Sequence, residues 1–337
     1  MAALQRALAV VAALLAVGAC SGPNLPTQNA VSDAVSTTAL DTAYTTVVAN
    51  VGPSVVLIES SDGLGSGEIY DEKGDIVTNA HVVGTATSFR VTTSSGKRLA
   101  ATLVGSFPPD DLAVIKVTSG AAGLKPATFG DSSKLKPGQP VVAIGNPLGL
   151  EGSVTTGVVS ALGRVVSEGP GGGTLPDAIQ TSAEINPGNS GGALVDLSSQ
   201  VIGIPTLAAL TPGSQGAQAP GIAFAISSNR ARLIADQLVQ NGRVTDSHRA
   251  YLGIQAGNTA GARGTVVISV EPGGPAARAG IVPGDLITSV AGKPTPDTSA
   301  LATVLATLQP GQNVPVGVTH ADGTSATVSV TLGQLPG

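Results

Sequence analysis

Short runs of β-branched and aliphatic residues, each cut off by turn formers, recur along most of the chain. Ser54–Glu59, Ile76–Asn79, Ser88–Thr92, Ala113–Val117, Pro140–Ile144 and Val154–Ser160 are six of them, with turns such as Asp71-Glu72-Lys73-Gly74 between. Runs of this length and composition predict strands. Helical periodicity is confined to Ser228–Gln240, where Ala231, Ile234 and Leu238 share a face and Gly242 follows the end. Many short strands with one late helix favour paired β-barrels over a βαβ sheet. The turn formers are there in number: 45 glycines and 23 prolines among 337 residues, about a fifth of the chain against roughly 12% in average proteins. The expected class is mostly β.

A chain this long suits two domains. The polar segment Asn241–His248 reads as a linker, which divides residues 41–243 from residues 249–335. Ahead of them, residues 21–40 are rich in Ser, Thr, Pro and Asn and read as a flexible tether. Residues 1–20 differ again: Arg6 precedes the apolar run Ala7–Val17, which ends in Gly18-Ala19-Cys20. That order reads as a secretory signal. The cysteine directly after Gly-Ala resembles a lipobox, which would make Cys20 the lipidated first residue of a membrane-tethered protein. An uncleaved anchor, or cleavage with Cys20 as a bystander, are the alternatives. Cys20 is the only cysteine, so no internal disulfide can form. With 12% charged residues and a net charge of −5, the chain lacks the basic footprint of a nucleic-acid binder. It has no cluster of metal ligands and no GK[ST] phosphate loop, so no cofactor is expected.

The stretch INPGNSGGALV, Ile185–Val195, sets a lone serine among glycines just before an apolar run. Such a turn can project the Ser190 hydroxyl while backbone N–H groups converge beside it, an arrangement suited to a serine attacking a carbonyl. A plain surface turn has the same composition. A serine nucleophile needs a base, and the base needs a third group to orient it. Of three histidines, His248 and His320 fall in or beyond the linker, leaving His81, in IVTNAHVV at a strand end. Asp111, in PPDDLAVIKV, opens an apolar strand and suits the orienting carboxylate; Asp110 is expected to be solvated.

The order His81, Asp111, Ser190 is that of the double-barrel serine proteases, as in the general template for the triad. TNAHVV, DDLAVIKV, AIGNPLGLEGSVTTGVVSALGR, IQTSAEINPGNSGGALVD and GIAFAISSN together resemble the HtrA (Deg-type) serine proteases, from about Asn50 onward. The resemblance implies a chymotrypsin-like double β-barrel and hydrolysis of peptide bonds in unfolded or misfolded envelope proteins. Ser190 would attack, His81 would shuttle the proton and Asp111 would fix the His81 tautomer. The amides of Gly188 and Ser190, flanking Asn189, would form the oxyanion hole. Ile185 would line the primary pocket opposite Leu207 to Leu210, Ala209 among them, favouring cleavage after small aliphatic residues. Glu184 departs from the family's usual Ala; it either turns to solvent or selects basic residues. The family tends to trimerise through aromatic contacts, but aromatics are 2% here and Tyr44 stands nearly alone in that region.

From Tyr251 the blocks YLGI, TVVISVEPGGPAARAG and IVPGDLITSVAGKP, then a helix with Leu301, Val304, Leu305 and Leu308 on one face, resemble a PDZ domain of α+β type. Asp297 or Thr298 would cap that helix. The resemblance implies that Tyr251, Leu252, Gly253 and Ile254 receive C-terminal peptides by strand addition. A peptide binder or chaperone with an idle protease domain is the competing class.

Overall fold

The computed structural model describes residues 37–146, 153–167, 173–186, 188–210, 218–258 and 263–337; the side chains at 37, 38, 207–210 and 218 are outside the description. Cys20, the signal and the tether up to residue 36 therefore lie outside the described residues. Among the described residues, no helix is long and apolar enough to cross a membrane. Asp41–Gly337 is one compact unit.

Strands β1 (Val55–Glu59), β2 (Leu64–Ile69), β3 (Asp75–Thr78), β4 (Ser88–Thr92), β5 (Arg98–Phe107) and β6 (Leu112–Val117) close into a barrel in the order β1-β2-β3-β6-β5-β4. Strands β7 (Pro140–Gly145), β8 (Ser153–Ser167), β9 (Thr174–Thr181), β10 (Ala193–Asp196), β11 (Val201–Leu210) and β12 (Gln218–Ser227) close into a second, in the order β7-β8-β9-β12-β11-β10. The two barrels thus repeat one topology. Closure leaves neither barrel an unpaired edge.

Each barrel has its own apolar interior: Ile58, Ile76, Val91 and Ile115 in the first, Ile179, Leu194 and Ile202 in the second. A third cluster seals the seam between them, joining Phe107 and Leu112 to Ile204, Ile226 and Leu238. Leu238 lies on the helix Ser228–Asn241, which ends at Gly242 with φ 68°. The loops at the mouth of this seam come from both barrels, which is what lets residues distant in sequence share one cleft.

Two further helices belong to the first half. Helix α1 (Thr37–Val51) begins inside the stretch expected to be tether. Its threonines and valines are weak helix formers. Its face Tyr44, Val47, Val48 and Val51 packs with Val55, Val142 and Val201, so burial overrides propensity. At ~1.5–3 kcal/mol for a fully buried aliphatic side chain, losing Val47, which is 0% exposed, would release the helix. Helix α2 (Ala80–Val83) is a single turn after β3; the late helix Ser228–Asn241 is α3.

In the C-terminal part, β13 (Ala250–Tyr251) pairs with β20 (Gly333–Gln334). Strands β14 (Ile254–Asn258), β15 (Thr265–Val270), β16 (Leu286–Val290), β18 (Asn313–Thr319) and β19 (Ser325–Thr331) form a sheet in that order, and β17 (Lys293–Pro294) pairs with β16. Helices α4 (Pro275–Arg278) and α5 (Thr298–Leu305) complete it. Asp297, rather than Thr298, caps α5 by accepting the Ala300 N–H at 2.7 Å. Leu301 and Val304 belong to the core, while Leu305 and Leu308 are only partly buried.

The linker stretch is fixed rather than loose. Gln237 Oε1 accepts the N–H groups of Thr245 at 2.9 Å and Asp246 at 2.7 Å, and Val244 and Ser247 are buried.

Candidate active site

His81 and Asp111 come from the first barrel. His81 sits in α2 just past β3, so the strand end read from the sequence carries one helical turn. Its Nδ1 lies 2.8 Å from Asp111 Oδ2, and its backbone N–H donates to Asp111 Oδ1 at 2.9 Å. The ring side chain is 49% exposed while that of Asp111 is 3% exposed; one edge of the imidazole therefore faces the open cleft. Asp111 has φ 51° and ψ 43°, a left-handed conformation uncommon outside glycine. Asn79 Nδ2 holds it there by donating to the Asp111 carbonyl at 3.0 Å.

The second barrel supplies the other half. Thr206, in β11, donates its hydroxyl to Asp111 Oδ2 at 2.5 Å. The Thr206 carbonyl accepts the Ser190 hydroxyl at 3.1 Å. Ser190, Thr206, Asp111 and His81 thus form one continuous hydrogen-bonded cluster across the seam. Three donors converge on the Asp111 carboxylate, so Nδ1 is the imidazole nitrogen that carries hydrogen on that side.

The turn holding Ser190 is pinned to the first barrel. Ser66, in β2, donates its N–H to the Ser190 carbonyl at 2.9 Å and its hydroxyl to the Gly188 carbonyl at 2.5 Å. A Cβ on Gly191, where φ is 79°, would collide with the Ser66 carbonyl and the Thr78 hydroxyl. The glycine is required there for close approach as well as conformation. Within the turn, the amides of Asn189, Gly191 and Gly192 donate to carbonyls of Asn186, Pro205 and Asn189 at 3.0 Å each. Those of Gly188 and Ser190 have no backbone acceptor among the described residues. Pro187 lies outside them.

Beside the turn is a cavity of about 190 Å³ lined by Ala183, Glu184, Ile185, Ala219, Ile222 and Ala223 among others. Ile185 lines this cavity and is buried, while Glu184 is exposed. The facing wall comes from β12; the side chains of Leu207 and Ala209 lie outside the description. His248 and His320 are elsewhere, against Asp246 at 3.0 Å and Asp285 at 2.8 Å.

One expectation is overturned. Asp110 is fully buried, not solvated. It meets Arg230 Nε at 2.5 Å and Arg249 Nη1 at 2.8 Å, and Arg249 also donates to the Pro109 carbonyl at 2.5 Å. A carboxylate paired with two guanidinium groups can be buried where an isolated one cannot. Burial lowers the Arg249 pKa and the Asp110 charge opposes that shift. A further buried acid escaped sequence reading: Glu68 is 0% exposed, neither carboxyl oxygen has a partner among the described residues, and burial pushes its pKa well above the usual range.

In the C-terminal part, Leu252 is buried and its carbonyl accepts the Ala276 N–H at 2.8 Å; the Gly253 carbonyl accepts the Glu271 N–H at 2.9 Å. Gly253 has φ 74°, and β14 is an edge strand beside α5. Tyr251 is committed to β13 and Ile254 opens β14.

The trypsin-like peptidase domain family matches residues 65–204 and the PDZ domain family matches residues 250–332. A trypsin-like peptidase carrying a PDZ domain is the class that fold and site define. The serine protease PepD of Mycobacterium tuberculosis is 41% identical over 337 residues, covering 94% of this chain and 70% of that protein. The periplasmic pH-dependent serine endoprotease DegQ of Escherichia coli is 40% identical over 282 residues, 80% of this chain and 59% of that protein. The solved HtrA-type protease AlgW with a decapeptide aligns with a TM-score of 0.60 at 30% identity, over 87% of this chain and 99% of that one. The chain belongs to the HtrA-type family of serine proteases, enzymes that hydrolyse peptide bonds.

Proposed function

We propose that Ser190 is the nucleophile of an endopeptidase acting on unfolded or misfolded proteins outside the cytoplasmic membrane. The His81–Asp111–Thr206–Ser190 cluster carries this reading. With Nδ1–H held on Asp111, Nε2 takes the Ser190 proton as Oγ attacks the carbonyl carbon. The same nitrogen then returns it to the leaving amine, and water repeats the cycle on the acyl-enzyme. Asp111 stabilises the imidazolium formed between those steps. The Gly188 and Ser190 amides, left over by the turn's internal bonding, are the donors for the oxyanion; one such donor is worth about 10²–10³ in turnover. A groove of Ile185, Ile222 and small residues suits a P1 side chain such as Val or Ala.

The edge strand β14 beside α5 supports peptide addition at Leu252–Ile254. The periplasmic relatives and the leader support export, with lipid on Cys20 as the tether; the homotrimer rests on family habit alone. The test is cleavage of a peptide panel by wild type, Ser190→Ala and Asp111→Asn. Loss of nearly all activity in Ser190→Ala, a kcat fall of about 10⁴ in Asp111→Asn, and preference for Val over Lys before the cut are expected. Full activity in Ser190→Ala would overturn the assignment, and preference for Lys or Arg would transfer selection to Glu184.

A further inference from the structure

Ser66 holds three hydrogen bonds around the Ser190 turn that no catalytic step accounts for. It is 0% exposed. Its hydroxyl donates to the Gly188 carbonyl at 2.5 Å and accepts the Asn146 N–H at 2.8 Å, and its own N–H donates to the Ser190 carbonyl at 2.9 Å. The Thr78 hydroxyl, donating to the Ser66 carbonyl at 2.6 Å, fixes β2 in turn. Gly65 and Gly67 on either side have no room for a Cβ: one would strike Val82, the other Ile58 and Ile76. The serine is therefore set in a position that cannot shift along the strand.

We propose that Ser66 is the positioning residue that latches the oxyanion turn open, acting from the first barrel on a hole built by the second. This rests on the reading of Ser190 and its neighbouring amides given above. A carbonyl and the following amide rotate together because the peptide unit is planar. Holding the Gly188 carbonyl on Ser66 Oγ fixes the 188–189 peptide, and the Gly192 N–H on the Asn189 carbonyl fixes the 189–190 peptide that carries the Ser190 amide. With both carbonyls occupied elsewhere, neither can swing into the space that the oxyanion needs. Removing the Ser66 hydroxyl leaves the 188–189 peptide held only by the Asn189 N–H on the Asn186 carbonyl at 3.0 Å, with a buried Gly188 carbonyl seeking a donor.

The experiment compares wild type, Ser66→Ala, Ser66→Cys and Ser190→Ala as full chains, with folding checked by thermal unfolding. Cysteine keeps a weaker donor and acceptor, so it serves if the alanine variant fails to fold. Peptide kcat, KM, the pH profile of kcat/KM and inhibition by a peptide boronate are read; the boronate's tetrahedral adduct on Ser190 puts an oxygen in the hole. Expected for Ser66→Ala is a kcat fall of about 10²-fold, KM within about twofold, and boronate affinity lost in proportion to kcat. The acid limb of the pH profile, which reports His81 on Asp111, stays in place, and Ser66→Cys falls between. Wild-type kcat in a folded variant, a kcat loss with boronate affinity retained, or a displaced acid limb would each overturn the latch. Activity surviving in Ser190→Ala would instead overturn the reading on which it rests.

Discussion

Arg249 joins the start of the PDZ part to the turn that carries Asp111, and its removal has a size that the geometry fixes. Arg249→Met deletes two hydrogen bonds from a charged donor, to Asp110 Oδ1 and to the Pro109 carbonyl. Bonds to charged groups contribute about 1.5–3 kcal/mol each. Because Arg230 stays on Asp110, the acid is not left uncompensated, and the loss should be near the lower sum for two such bonds, about 3 kcal/mol. Asp110→Ala is worse: it strands two guanidinium groups whose side chains are 10% exposed, and breaking a buried pair this way costs about 3–5 kcal/mol. The assay is urea unfolding of wild type, both single variants and the double variant, followed by circular dichroism. With Asp110 gone, Arg249 has lost its main partner, so the double variant should be no less stable than Asp110→Ala alone. Effects that simply add, within about 0.5 kcal/mol, would show that the two groups do not interact and would refute the clamp.

Glu68 gives a pH dependence. Its folded pKa is raised by burial, so the native state keeps it neutral while the unfolded chain ionises. The two states match below the ordinary carboxyl pKa near ~4.3, and stability is lost as pH rises from there toward the folded pKa. The stability of Glu68→Gln relative to wild type should therefore grow as pH rises above the ordinary carboxyl pKa; parallel curves would contradict this. Ala291 and Gly292, with φ 50° and 75°, form a two-residue turn between Val290 and Lys293. Such turns favour Asn-Gly, so Ala291→Asn should stabilise by about 0.5–1 kcal/mol, measured by chemical unfolding; destabilisation would mean that packing of the Ala291 methyl outweighs strain. Thr206→Val removes a charge-assisted bond to Asp111, and peptide kcat should fall about tenfold at unchanged KM; an unaltered kcat would remove Thr206 from the site.

Much of the fold was legible because strands in closed barrels are short, aliphatic and bounded by turns. The run Ser88–Thr92 coincides with β4, and Ser228–Gln240 stops one residue short of α3. Helix α1 was not legible: its Thr and Val content argues against a helix, and only packing on Val55 and Val142 decides it. At the site, the elimination that left His81 used the count of three histidines and the place of the other two at or beyond the linker, and His81 does bond to Asp111. The misreading of Asp110 has a geometric cause. A 3-10 turn at Pro108–Asp110 followed by left-handed Asp111 breaks the strand alternation, so adjacent carboxylates are both buried with different partners. Ser66 left only a weak trace, a serine enclosed by two glycines. The partners of its hydroxyl lie across the seam from the first barrel, and no local pattern announces such a bond.

The most direct test of the account is a fluorophosphonate reaction followed by peptide mapping of the adduct in wild type and Ser190→Ala. A single phosphonyl group on Ser190, absent from the alanine variant, is the predicted result. Adduct elsewhere in the chain, or equal labelling of both proteins, would contradict it.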